Sequence, residues 1–199
     1  MKLKMTVLFV FAAVTAFAQG NLLKGSAFET GKDVLAWNPG HWVHIGPALG
    51  DYKKLLPQVS PYCKRMLVQD PKSGRWSMKI KTDKEYHNIK DNKGGVIMVS
   101  NSLTQTAAVV PGKYKLTVWV KGKTEKVPGY NALRLFINST KQDKKVVGLL
   151  DHQFKLTDSW VQYQKEITVP AEGSSVTIRF ALYGVGEVLL DDVTLEKVQ

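Results

Sequence analysis

Residues Lys113 to Lys121 read KYKLTVWVK. Tyr114, Leu116, Val118 and Val120 share one parity; Lys115, Thr117, Trp119 and Lys121 share the other. Successive strand residues point to opposite faces, so this segment predicts a strand with one core face and one wetter face. The same alternation recurs in ALRLFIN (Ala132–Asn138) and SVTIRFALY (Ser175–Tyr183). A chain built from such segments has to close one sheet over another, because each sheet has an apolar face to hide. Further strand signals lie at Ser77–Thr82, Val96–Leu103, Val161–Val169 and Glu187–Lys197, with a weaker one at Val146–Leu150. Gly, Pro, Asn and Asp punctuate them, as in VVPGK and VPAEG. The predicted fold is all-β, an antiparallel β-sandwich of the jelly-roll type. The stretch His41 to Gly74 is the least regular, with Pro47, Pro57, Pro61 and Pro71, and reads as long loops around one short helix.

A chain of 199 residues suits one domain with its own core. Lys2 and Lys4 precede the apolar run MTVLFVFAAV, and Ala16-Phe17-Ala18 follows it. That is the pattern of a secretory signal peptide over residues 1–18, leaving a single domain over 19–199. The run is short for a membrane span, and no cysteine stands at the cleavage point to carry a lipid. The expected product is secreted or periplasmic, and monomeric. With one cysteine, Cys63, no intramolecular disulfide is available. The formal charge of +11 becomes +9 once Lys2 and Lys4 leave with the signal. A surplus of that sign favours an anionic partner such as an acidic glycan or cell surface. The lysines are spread out and the chain is exported, so nucleic acid is the weakest candidate; plain solubility is an equal explanation.

The second faces of three strands carry the functional question. Trp119 (on Lys113–Lys121), Arg134, Phe136 and Asn138 (on Ala132–Asn138), and Arg179 and Tyr183 (on Ser175–Tyr183) mix rings with guanidinium and amide groups. Such a surface suits a sugar, whose C–H faces stack on rings and whose hydroxyls need planar polar partners. An equal alternative is that loops cover these faces, the rings filling a satellite core and the arginines pairing locally. In the closing strand, GEVLLDDVTLEKV, Asp191 shares the parity of Val193 and Leu195, which want the core. One carboxylate is therefore expected to point inward, and a buried carboxylate needs an answer to its charge.

Five pieces in order carry a resemblance: NLLKGSAFETG with Trp37 after it, SGRWSMKI, VVPGKYKLTVWVKG, SWVQYQKEITVP and VTIRFALYGVGEVLLDDVTL. Together they resemble the carbohydrate-binding modules of families four, nine and twenty-two, which are galactose-binding-like jelly rolls. The resemblance implies a non-catalytic sugar-binding domain with a structural calcium. The calcium would be held by Glu29 of AFETG and by Asp191 or Asp192, with backbone carbonyls near Ser73 and Gly74. Oxygen ligands of this kind suit Ca2+. The resemblance also implies a sugar site on one sheet face, or at edge loops that would recruit Trp42, Tyr52, Tyr62, Trp76 or Tyr86. Trp37 and Trp160 occupy motif positions that pack the core.

Enzyme signatures are not apparent. His41 and His44 sit three apart in an extended-looking segment with no third ligand by spacing, which disfavours zinc. There is no GxSxG and no P-loop. Asp191 and Asp192 point to opposite faces of one strand, so they do not flank one glycosidic bond. The expected function is capture of a poly- or oligosaccharide, with acidic glycans in view; the alternative is an adhesive or structural sandwich without sugar specificity.

Overall fold

The computed structural model describes residues 20–44, 52–90, 94, 97–126 and 131–198. The expected signal peptide lies outside them. Ten strands follow one another: β1 Asn38–His44, β2 Cys63–Val68, β3 Ser77–Thr82, β4 Met98–Ala108, β5 Gly112–Thr124, β6 Ala132–Lys141, β7 Val146–Gln153, β8 Val161–Val169, β9 Gly173–Tyr183 and β10 Gly186–Lys197. They form two antiparallel five-stranded sheets, ordered β1-β4-β9-β6-β7 and β2-β3-β10-β5-β8. The predicted sandwich is the observed one.

The alternation read from the sequence builds the core. Ile178, Phe180 and Leu182 of β9 and Leu133, Leu135 and Ile137 of β6 are fully buried against Leu116, Val118, Val188, Leu190 and Leu195 of the second sheet. Trp37 is buried beside Phe28 and Phe180, and its indole N–H donates to the Gly25 carbonyl, as its core assignment required. A smaller cluster of Val59, Cys63, Tyr86, Ile97, Val99 and Val185 forms a second apolar centre. Burial pushes the Cys63 thiol up to about 11, which suits a packing role and not a nucleophile.

The irregular region contains more order than its prolines suggest. It holds the end of β1, one helix (Tyr52–Val59) and β2. Both strands are sheet edges, which is where Pro39 is tolerated, since an edge strand has N–H positions that the ladder does not use. The expected short helix is Tyr52–Val59.

Candidate functional site

Three strands of the first sheet assemble a charged and aromatic cluster on its outer face. β9 lies between β4 and β6, and its register sets Arg179 beside Phe136 and Thr104. β7 adds Asp151 next to Phe136, and Gln153 next to Arg134. The Phe136 ring is the hub. The Arg179 guanidinium lies over it at 4.5 Å and that of Arg134 at 5.1 Å. Tyr183 meets the same ring edge-on at 6.4 Å. Cation–π contacts of this kind contribute about 0.5–2 kcal/mol each, enough to hold a guanidinium in place.

The two arginines differ in their electrostatic state. Arg134 makes a bidentate pair with Asp151: its Nε donates to Oδ1 at 3.0 Å, and Nη2 to Oδ2. No carboxylate among the described residues pairs with Arg179. Its Nε is buried and has no hydrogen-bond partner. An orphaned donor on a guanidinium costs more than one on a neutral group, so Arg179 is held at a cost that the Phe136 contact partly offsets.

The six expected binding residues therefore divide. Arg134, Phe136, Arg179 and Tyr183 come together as expected, although Tyr183, at 8% exposure, serves as a wall and not as an open platform. Asn138 stands half-buried two residues along β6, beside Thr177 and Gly148. Trp119 is elsewhere. It belongs to β5, in the other sheet, and faces outward there beneath Lys72, whose Nζ lies 4.4 Å from its ring centroid. Within-strand parity identifies an outer face but not which of two sheets carries it. Asp151 was missed because the weak strand was ended at Leu150; β7 continues to Gln153. Of the edge-loop alternatives, the side chains of Trp42 and Tyr52 lie outside the described set. Tyr86 is buried, and Tyr62 packs on the smaller cluster.

The expected metal ligands also converge, on the loop between β2 and β3. Asp191 is fully buried. Its Oδ2 accepts from the backbone N–H groups of Lys72 (2.8 Å) and Ser73 (3.3 Å), and its Oδ1 from that of Asp192 (2.9 Å). The Ser73 hydroxyl donates to Asp192. Glu29 accepts from the N–H of Arg75 with both oxygens, at 2.9 and 3.0 Å. Asp191 is the buried one of the two aspartates, but it does not point into the core, and the parity argument for it fails. A β-bulge separates Asp191 from Thr194, and Asp192 at its centre has φ +46°. The extra residue reverses the alternation. Asp191 thus shares the outer face with Leu189 and Trp119, and it is buried because the 70–75 loop crosses over it. Burial pushes its pKa up to about 6 against the opposing pull of those N–H donors. Among the described residues, no group of three or more His, Cys, Asp or Glu could hold a metal ion.

One histidine gives a pH prediction. His152 packs edge-on to Phe154 and beside Tyr163, with its Nε2 buried and unpartnered. Burial lowers its pKa below 6.5; Lys165 lowers it further, and Asp151 opposes both. A depressed folded-state pKa means that its contribution is fully present above pH 6.5 and is lost as pH falls through the lower folded value. Asp191 runs the other way: its raised pKa contributes stability below 3.8 that is lost as pH rises through about 6. Replacing His152 by Phe is therefore expected to flatten the acid-side fall in melting temperature below pH 6.5, read as the difference between variant and parent melts.

No protein-family model matches the chain, and no curated protein matches it. Solved structures do match in fold. A family 61 carbohydrate-binding module, TmCBM61, determined in complex with β-1,4-galactotriose, aligns with a TM-score of 0.55 and 14% identity, covering 89% of this chain and 99% of the module. The CBM22-1 xylan-binding domain of Xyn10C from Paenibacillus barcinonensis aligns at 0.52 and 15%, covering 92% and 99%. The enzymatically active domain of tailspike protein 4 of bacteriophage CBA120 aligns at 0.60 and 14%; the match covers 89% of this chain and 21% of the tailspike. The chain thus shares the β-sandwich fold of carbohydrate-binding modules along nearly their whole length.

Proposed function

We propose that this chain is an exported, non-catalytic protein that binds a poly- or oligosaccharide, with acidic glycans preferred, on the outer face of the β1-β4-β9-β6-β7 sheet. The observation that carries this reading is Arg179. Its guanidinium is seated on Phe136, its Nε has no partner, and the neighbouring Arg134 is already neutralised by Asp151. A uronic-acid carboxylate or a sulfate is a counter-charge for this guanidinium, and its planar fork matches either one. The Phe136 ring is occupied by two guanidinium groups, so Phe136 serves as their anchor while the arginines and Tyr183 meet the sugar.

Two features support the absence of chemistry at this face. Asp151 is the one carboxylate that the described outer face offers, and paired-carboxylate glycoside hydrolysis needs two. That carboxylate is also committed to Arg134. The solved modules that share the fold include one in complex with galactotriose and one described as xylan-binding, which supports the sugar-binding reading. Residues 1–18 supply the pattern for export, and no helix among the described residues is long and apolar enough to cross a membrane.

Affinity gel electrophoresis tests the reading. Gels containing a polyuronate or a sulfated polysaccharide are expected to retard the protein, and gels with neutral glucan or xylan to retard it less. Added salt is expected to weaken the retardation, because the charges involved are solvent-facing. Equal mobility in every gel would leave the adhesive reading in its place.

A further inference from the structure

The chain ends need fastening, because an opening segment and a closing strand otherwise fray. The resemblance assigns that task to calcium between Glu29 and the aspartates of β10. In this chain the loop between β2 and β3 presents a different donor set. The N–H groups of Lys72 and Ser73 are aimed at Asp191, that of Arg75 at Glu29, and the Ser73 hydroxyl at Asp192. The Asp70 carbonyl at the start of the loop accepts from the Ser77 hydroxyl at 2.9 Å. Gly74 makes the turn possible. Its φ is +66°, and a Cβ there would lie 1.9 Å from a Glu29 oxygen. Successive N–H groups beside a left-handed residue form a concavity that attracts anions. A cation placed in it would face the positive ends of those dipoles.

We propose that this protein fastens its two ends without calcium: the N–H groups of Lys72, Ser73 and Arg75 answer the charge of Asp191 and Glu29, and the 70–75 loop is an anion cradle filled by the chain's own carboxylates. Further hydrogen bonds tie the same ends. The Val193 N–H donates to the Ser26 carbonyl, that of Leu22 to the Leu195 carbonyl, and that of Leu195 to the Asn21 side chain. Lys72 extends over Trp119 and attaches the loop to β5. This inference is independent of the glycan reading, since the cradle lies on the opposite sheet from Arg179.

The test uses the unaltered secreted chain, stripped with chelator and then melted in excess chelator or in millimolar calcium. The expected result is one melting temperature in both, with no saturable heat when calcium is titrated in. Amide exchange in chelator supplies the second readout, and the N–H groups of Lys72, Ser73 and Arg75 are expected to be protected. A melting temperature that rises by several degrees and saturates with calcium would overturn the proposal. So would exchange of those three amides at the rate of open loops.

Discussion

Replacing Arg179 by Ala is expected to weaken binding of an acidic oligosaccharide by about 10–100-fold, the equivalent of losing charge-assisted hydrogen bonds of about 1.5–3 kcal/mol. Calorimetric titration of parent and variant measures it. The fold should tolerate the change well. Arg179 is half-buried, its Nε has no partner, and its contact with Phe136 is the interaction that goes. Removing an unsatisfied buried donor returns part of what that contact contributed, so the melting temperature should move little. Arg179→Lys keeps the charge but loses the planar fork, and an intermediate loss of affinity is expected. Arg134→Ala should do less to binding than Arg179→Ala, because Arg134 spends its donors on Asp151. An affinity that survives Arg179→Ala would remove the central element of the site.

Gly122→Ala should damage the fold more than any change on the binding face. Gly122 has φ +148°, a region that L residues rarely adopt. It is paired with Val188 across β5 and β10, inside the second sheet. A Cβ there would sit 2.3 Å from the Glu187 carbonyl oxygen and 2.7 Å from the Val188 Cα. Both are backbone atoms of a central strand and have no rotamer through which to yield. Relief requires β5 and β10 to separate locally. Strain of this kind and the ladder bonds lost with it should cost about 3 kcal/mol or more, a fall in melting temperature on the order of 10 °C for a chain this size. Thermal unfolding followed by far-ultraviolet circular dichroism measures it; a variant that melts with the parent contradicts this account of Gly122.

The fold was legible wherever alternation was clean. In β5, β6 and β9 every residue predicted for the core face is buried, because a core face and a half-wet face leave a period of two in the sequence; in β9 Ala181 and Tyr183 of the other face are buried as well. The first two strands were not legible. β1 carries Pro39 and Gly40, and β2 intersperses Lys64 and Arg65 with its apolar residues, as edge strands do. For the candidate site, residue type and parity picked out Arg134, Phe136, Arg179 and Tyr183, which the fold brings together. They could not separate these from Trp119, since which sheet a strand joins depends on long-range pairing. Asp191 shows the limit most clearly. Its burial was anticipated on a parity that the bulge at Asp192 reverses, and its charge is met by a loop more than a hundred residues away in sequence. No local pattern announces a single residue with positive φ or a loop crossing a sheet.

Heteronuclear NMR titration with an oligouronate tests the location of the site most directly. The account predicts shift changes that saturate with ligand and cluster on Arg134, Phe136, Asp151, Arg179 and Tyr183, leaving Trp119 and the 70–75 loop unmoved. Perturbations centred on Trp119 and the outer face of the second sheet, or none with any acidic or neutral oligosaccharide, would contradict it.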